Sequence, residues 1–144
     1  ELEDLNAIVS EVVEAEQKHN RTITFKENPS LGEVPVSTVA IKRVVTNMIE
    51  NAIRYSDGDI EVETRVSSNK KFAMVVVNDH GPGIPESELE TVFEPFKQGD
   101  AARGSEGSGL GLAIIKRIVD MHGGRVQLLN RPEGGLSAQI YLPF

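Results

Sequence analysis

The sequence predicts an α/β fold of two layers, a mixed β-sheet with its helices packed on one face. Three observations carry that reading. Apolar residues recur at helical spacing in three separate segments. Other stretches, of strand length, either alternate apolar with polar residues or run apolar throughout. The two kinds of segment interleave along the chain, which implies strands in one layer and helices in the other.

Leu5, Ile8, Val9, Val12 and Val13 follow the i, i+3, i+4, i+7, i+8 rule, so an amphipathic helix opens the chain. Residues 21–26 alternate, with Ile23 and Phe25 on one side, and read as a strand. Asn28-Pro29-Ser30-Leu31-Gly32 is turn chemistry. A second helix runs from Val39 to Tyr55, with Ile41, Val44, Val45, Met48, Ile49, Ala52 and Ile53 on its apolar face. Ser37 is placed to cap its start, and Asp57-Gly58 to end it. Ile60, Val62, Thr64 and Val66 alternate with charged residues as a half-exposed strand, and 68–71 form a turn. Phe72 to Val77 is apolar at every position, the pattern of a central strand covered on both sides. Pro85 suits the first turn of a short helix reaching about Phe93. Residues 97–108 are polar, small and without period, and are read as a mobile loop. Helical spacing resumes from Leu110 through Ile114, Ile118 and Met121, and Gly123-Gly124 stops it. Two last strands, Arg125 to Leu129 and Leu136 to Leu142, are joined by a hairpin loop, Arg131-Pro132-Glu133-Gly134-Gly135.

A chain of 144 residues fits one domain, 1–144, around a single core. It begins with Glu inside a periodic segment and reads as a piece of something longer. Acidic residues outnumber basic ones by 22 to 15, a formal charge of −7, which argues against nucleic acid or an anionic membrane as a default partner. The absence of cysteine rules out a disulfide framework and thiolate chemistry, and suits a reducing cytosol. The longest apolar run, 72–77, is far too short to cross a bilayer, and no signal-peptide pattern is present.

Three clusters have the residue types of a binding site. Asn47, Asn51 and Arg54 are four and then three apart, so they line one stripe of the second helix. Two carboxamides and a guanidinium are poor core material, but suit a hydrated divalent cation and its attached phosphates, or simply a solvated helix face. Asp79 follows a buried strand, and the glycines after it let the backbone turn sharply and approach a ligand. A carboxylate there can accept a hydrogen bond from an exocyclic amine, or serve only as turn punctuation. Gly107-Ser108-Gly109-Leu110-Gly111-Leu112 leads into a helix whose unpaired N–H groups suit phosphate. Its glycine spacing is neither that of a dinucleotide fingerprint nor that of a P-loop.

Taken in order, these clusters and the block Phe93-Glu94-Pro95-Phe96 resemble the ATP-binding catalytic domain of two-component sensor histidine kinases. The pieces correspond to that family's asparagine box (47–55), first glycine box (79–84), phenylalanine box (93–96) and second glycine box (107–112). Ile41-Lys42-Arg43, Asn51-Ala52-Ile53-Arg54-Tyr55 and Arg117-Ile118-Val119-Asp120 are most similar to osmosensor kinases of the EnvZ type. The resemblance implies a Bergerat-type ATP-binding fold, with ATP and Mg²⁺ as cofactors. Asn51 then matches the Mg²⁺ ligand, with Asn47 helping to hold metal and phosphates. Arg54 matches the basic residue reaching the phosphates, and Tyr55 the aromatic beside the nucleoside. Asp79 matches the carboxylate that reads the adenine amino group, with Gly81 and Gly83 shaping the pocket and Ile84 completing the box. Residues 97–108 match a lid, Arg103 being its phosphate-meeting base and Gly107 and Ser108 its end. Gly109, Leu110, Gly111 and Leu112 match the lid hinge and the phosphate-facing helix start. Gln98 departs from the pattern, since relatives often carry Arg there.

Superfamily relatives that hydrolyse ATP place a Glu at the position of Asn47. An amide there cannot act as a general base, so the resemblance implies a site that holds Mg-ATP for an external nucleophile. That nucleophile is a histidine in this family. None of His19, His80 and His122 sits in the context of a phosphoacceptor helix, so all three read as surface or capping residues. The implied partners are the protein's own dimerisation and histidine phosphotransfer domain, outside these residues, and a response regulator. The implied location is a cytoplasmic domain of an inner-membrane protein, itself without membrane contact. A nucleotide-binding module without transfer activity, or a self-sufficient ATPase or serine kinase of the superfamily, are the other functions this pattern admits.

Overall fold

The computed structural model describes residues 1–17, 22–89 and 111–144. A three-residue strand β1 (Leu2–Asp4) runs directly into helix α1 (Leu5–Glu16). Asp4 caps that helix by accepting from the Ala7 N–H at 3.1 Å. Strands β2 (Ile23–Lys26) and β3 (Glu33–Pro35) follow, then the long helix α2 (Thr38–Tyr55). Next come β4 (Ile60–Val66) and β5 (Phe72–Asn78), a 3₁₀ turn at Glu86–Glu88, helix α3 (Gly111–Met121), and the hairpin of β6 (Arg125–Asn130) and β7 (Leu136–Pro143).

Five strands make one mixed sheet in the order β2-β4-β5-β7-β6, with β2 parallel to β4 and the other pairs antiparallel. Strand β1 pairs with β3 in a separate two-stranded ribbon. The main core gathers side chains of α1, α2 and α3 on one side and those of β2, β4, β5 and β7 on the other. Ile41, Val44, Val45, Met48, Ile49 and Ala52 are all buried, so the apolar face read from the α2 sequence is the face that packs. This is the expected two-layer sandwich, with helices on one face of a mixed sheet.

The central strand β5 lies buried on both faces, but the two faces are covered differently. Ala73, Val75 and Val77 meet the helices. On the opposite face Val76 is 0% exposed, with no helix over it among the described residues. Its register neighbours there are Glu63 and Gln139, and Met74 lies between Arg65 and Tyr141. The Tyr141 hydroxyl lies 3.3 Å from both Gln127 Oε1 and Gln139 Oε1, and Arg125 stacks 4.4 Å over the Tyr141 ring. The stems and rings of these polar residues shield the apolar strand, and the buried Gln139 amide is satisfied by the Ser137 hydroxyl at 3.1 Å.

Glu63 and Arg65 form a two-pronged ion pair on that face, at 3.0 and 3.1 Å. The hydrogen bond from Arg65 holds the Glu63 carboxyl below its ordinary range, against an opposing effect of burial, with the charges of Arg65 and Lys26 adding to the lowering. A depressed folded-state value contributes stability that is present above the unfolded carboxylate's value of about 4.3 and is lost as pH falls through the folded value. Glu63→Gln is therefore expected to lower urea-unfolding stability at pH 7 by a few tenths of a kcal/mol to about 1 kcal/mol. The gap to the unmodified chain should close as the pH drops below about 4. A gap that widens on acidification would contradict the assignment.

Several expectations are corrected. Helix α2 ends at Tyr55 as read, but Ser56 rather than Asp57-Gly58 stops it: Ser56 is extended, and its hydroxyl satisfies the Ala52 carbonyl at 2.6 Å. In α3 the buried residues are Ile115 and Val119, whereas Ile114 is half-buried, Ile118 reaches the edge of the core and Met121 is 76% exposed. The stop at Gly123-Gly124 holds, with Gly123 at φ +74° and the Gly124 N–H bonded to the Val119 carbonyl. The segment after Pro85 is a 3₁₀ turn up to Glu88, and the remainder of the expected helix, to Phe93, lies outside the described residues.

Candidate functional site

One stripe of α2 faces away from the core and carries Asn47, Asn51 and Arg54 in register. Arg54 is exposed, and its Nη1 lies 3.4 Å from Asn51 Oδ1, a long hydrogen bond that is easily given up. Its guanidinium also lies 5.8 Å from the ring centre of Tyr55. Asn51 Nδ2 is buried and has no hydrogen-bond partner among the described residues. The first residue of α3 sits directly against that carboxamide: a Cβ built on Gly111 would meet Asn51 Oδ1 at 3.6 Å and Nδ2 at 3.7 Å. Helix α3 thus begins on Asn51, while Leu112 packs against the core. An orphaned buried amide costs about 1–3 kcal/mol, so this arrangement is better suited to a bound ligand than to the empty site.

The turn after β5 supplies the second wall. Asp79 is 6% exposed, and its Oδ1 accepts from two backbone N–H groups, Gly81 at 2.9 Å and Leu136 at 3.0 Å. Its own N–H donates to the Leu136 carbonyl. Oδ2 makes no hydrogen bond among the described residues, which leaves one oxygen of a rigidly held carboxylate able to accept from a ligand. Gly81 presses on the end of α2, where a Cβ would collide with the Tyr55 carbonyl and crowd Ser56. Arg54, Tyr55, Gly58, His80, Gly81 and Pro82 help line a cleft of 450 Å³ between helix end and turn.

Gly83 has φ +78°, and a Cβ there would overlap the Asn130 side-chain oxygen. Its glycine is required by packing within the protein. Ile84 is buried with Leu128 and Leu136 in a small second cluster, so its side chain supports the turn from beneath. The structure therefore brings together Asn51, Arg54 and Tyr55 on α2, Asp79 and Gly81 on the turn, and Gly111 at the start of α3. Asn47 lies one turn before Asn51, half-buried. Arg103, Gly107, Ser108, Gly109 and Leu110, with the expected lid and the block 93–96, lie outside the described residues.

The sequence reading makes Arg131 only the first residue of the hairpin loop and gives Asn130 no role, yet both reach this turn. Asn130 bonds Ile84 on both sides of its peptide, accepting from its N–H at 2.9 Å and donating to its carbonyl at 2.7 Å. Arg131 Nη1 donates to the Asp79 carbonyl at 2.7 Å. No periodicity announces such contacts; the hairpin signal at Pro132 to Gly135 was the only local hint.

Residues 36–144 match the family model of histidine kinase-, DNA gyrase B- and HSP90-like ATPases. The chain is 37% identical over 121 residues to the sensor histidine kinase component HK1 of Mycobacterium tuberculosis, covering 84% of this chain and 70% of that protein. It spans only 31% and 11% of the length of two other curated sensor kinases that it matches. Among solved structures it is similar to the mycobacterial sensor histidine kinase MprB, with a TM-score of 0.85 at 30% identity, covering 99% of this chain and 97% of that one. The histidine kinase domain of the Escherichia coli osmosensor EnvZ is 43% identical, with a TM-score of 0.77 over 99% of this chain and 88% of that one.

Proposed function

The chain belongs to the histidine kinase-, DNA gyrase B- and HSP90-like ATPases, as the ATP-binding domain of a sensor histidine kinase, and we propose that it binds ATP with Mg²⁺ and donates the γ-phosphoryl group to a histidine on a separate dimerisation domain. The observation that carries this reading is the carboxamide of Asn51 against the start of α3, its Nδ2 buried and without a hydrogen-bond partner among the described residues. Among the described residues no three His, Asp or Glu side chains converge on one point, so a cation here relies on amide oxygen and on the ligand's own phosphates. Asn51 and Asn47 would hold the Mg²⁺, which when bound neutralises phosphate charge and orients the triphosphate. A carboxamide turns about its terminal bond at little cost, so Asn51 can present its oxygen once Arg54 swings to the phosphates. Asp79 accepts from the adenine amino group, Tyr55 lies beside the nucleoside, and Gly81, Gly83 and Ile84 shape the base end. Arg103 and the main-chain N–H groups of Gly107, Ser108, Gly109, Leu110, Gly111 and Leu112 meet the phosphates, while the Leu112 side chain packs on the core.

The acceptor lies outside this domain. His122 has both ring nitrogens engaged, with Ile118 O at 2.8 Å and the Ser37 N–H at 3.2 Å. His80 is held between Arg131 and Glu61. Asn47 lacks the basicity to activate water, which favours transfer over hydrolysis. In the whole protein the domain would be cytoplasmic, beneath an inner-membrane sensor, and would act with a response regulator; no described helix is long and apolar enough to cross a membrane.

Incubation with γ-labelled ATP tests this. The chain alone should stay unlabelled and release phosphate slowly. A separately supplied dimeric phosphoacceptor domain should become labelled in trans, weakly, because tethering normally supplies a high effective concentration. Acid-stable, base-labile phosphate on the chain itself would point to hydroxyl chemistry instead.

A further inference from the structure

The turn 79–84, the base end of the proposed site, has one hydrogen bond of its own, from the Gly81 N–H to Asp79 Oδ1, and is otherwise held from outside. Both of its ends are fastened to the β6–β7 hairpin. At one end the Leu136 N–H holds Asp79 Oδ1, the Asp79 N–H returns to the Leu136 carbonyl, and Arg131 Nη1 holds the Asp79 carbonyl. At the other, Asn130 brackets the Ile84 peptide with two hydrogen bonds. The turn and hairpin are in such close contact that a Cβ on Gly83 would overlap Asn130, and one on Gly135 would overlap the Asp79 carbonyl. Arg131 is itself fixed. Its side chain is 12% exposed, its Nη2 donates to Glu133 at 3.0 Å and lies 3.9 Å from Glu61 on β4, and its N–H closes the hairpin on the Gly135 carbonyl.

We propose that Asn130 and Arg131 are positioning residues for base recognition: they set the direction of the Asp79 carboxylate without touching the nucleotide. This rests on the reading of Asp79 as the adenine-facing group. A hydrogen bond to an exocyclic amine weakens steeply once the acceptor is misaligned. Asp79 Oδ1 is held directly by the Gly81 and Leu136 N–H groups, so the carboxylate points where the turn and the hairpin place those two donors. The main chain at Asp79 is in turn fixed from the hairpin, by the Arg131 guanidinium on its carbonyl and by the hydrogen bond from its N–H to the Leu136 carbonyl. Asn130 needs both a donor and an acceptor for its task, so Asn130→Asp, which turns the donor into a second acceptor facing the Ile84 carbonyl, should act as a loss despite its matching shape. Arg131→Lys retains one donor and should behave between the unmodified chain and Arg131→Met.

The test is calorimetric binding of Mg-ATP, Mg-GTP and Mg-ADP to the full chain and to Asn130→Ala, Asn130→Asp, Arg131→Met and Arg131→Lys, with thermal unfolding of each. Asn130→Ala and Arg131→Met should lower the ATP-to-GTP affinity ratio about tenfold, the size expected for one misaligned charge-assisted hydrogen bond. The ATP-to-ADP ratio should stay unchanged, because Asn51 and Gly111 at the phosphate end are untouched. Arg131→Lys should restore part of the base discrimination. A merely structural role would lower all three affinities together and leave both ratios alone, and that result in variants with an intact unfolding transition overturns the inference. Should Asn130→Ala fail to fold, the ratios of Arg131→Met and Arg131→Lys decide the matter. Should the unmodified chain bind no ATP, the proposed function itself falls, and this inference with it.

Discussion

Asn51→Ala is expected to remove Mg²⁺-dependent ATP binding while leaving the fold as stable as before, or more so. The loss should be about 100-fold or more, since changing even the outer partners of a metal ligand typically costs 10- to 100-fold in affinity. The stability arm follows from the same side chain. Among the described residues Asn51 Nδ2 is buried without a partner, and Oδ1 has only the long contact with Arg54. Removing an unsatisfied polar group recovers about 1 kcal/mol or more, and alanine has the higher helix propensity at this interior position of α2. The unfolding temperature should therefore hold or rise as binding disappears. Calorimetric titration with and without Mg²⁺, alongside thermal unfolding, reads both arms. Retained Mg²⁺-dependent affinity would remove Asn51 from the metal, and a large drop in stability would show the carboxamide to be a structural element.

A site that binds only through groups left unsatisfied in the free chain is held at a cost to the fold. Asn51 shows this at the proposed phosphate end. Asp79 shows the opposite arrangement at the proposed base end, where one oxygen is fully used by Gly81 and Leu136 so that the other is held still. The first end suits a ligand whose cation brings its own strong ordering, and the second suits a group that must discriminate between similar bases.

What was legible in the sequence follows from the range over which each signal acts. The α2 face is legible because Ile41, Val44, Val45, Met48, Ile49 and Ala52 repeat over three turns; Ile53, read on the same face, is only partly buried at the edge of the core. In α3 the reading settled on the wrong edge. Leu112, Ile114, Ile115, Ile118, Val119 and Met121 fit more than one helical stripe, and only the partners on α2 and β6 select Ile115 and Val119. Strands β1 and β3 were missed because three residues carry no period, and their pairing, Leu2 with Pro35 to Asp4 with Glu33, is wholly non-local. Strand β5 was rightly read as covered on both faces, but its second cover comes from Gln139, Tyr141 and the Glu63–Arg65 pair, polar residues that hydropathy places in solvent. The turn 79–84 was legible from its glycines, whereas the hairpin that holds it was not. Asn130 meets Ile84 across 46 residues and Arg131 meets Asp79 across 52, distances at which a single sequence offers no pattern.

Asp79→Asn is expected to reverse the base preference of the proposed site rather than merely weaken it. The unmodified chain should favour ATP over GTP by about two orders of magnitude. A carboxylate oxygen accepts from the amino group at the six position of adenine, but faces a lone pair on the carbonyl of guanine. A charge-assisted hydrogen bond is worth about 1.5–3 kcal/mol, and an unpaired buried polar group costs a similar amount. In the variant the amide has no free choice of orientation. Oδ1 is the acceptor for the Gly81 and Leu136 N–H groups, at 2.9 and 3.0 Å, and an NH₂ group turned inward would face two donors. The amide oxygen must take that place, which sets the NH₂ toward the base. There it opposes the adenine amino group and donates to the guanine carbonyl. ATP affinity should fall about 10- to 100-fold, GTP affinity should rise, and the fold should be unaffected because both backbone hydrogen bonds are kept. Binding of the two nucleotides to both forms measures this directly. Equal binding of ATP and GTP by the unmodified chain, or a ratio untouched by the substitution, would leave Asp79 as a turn residue alone.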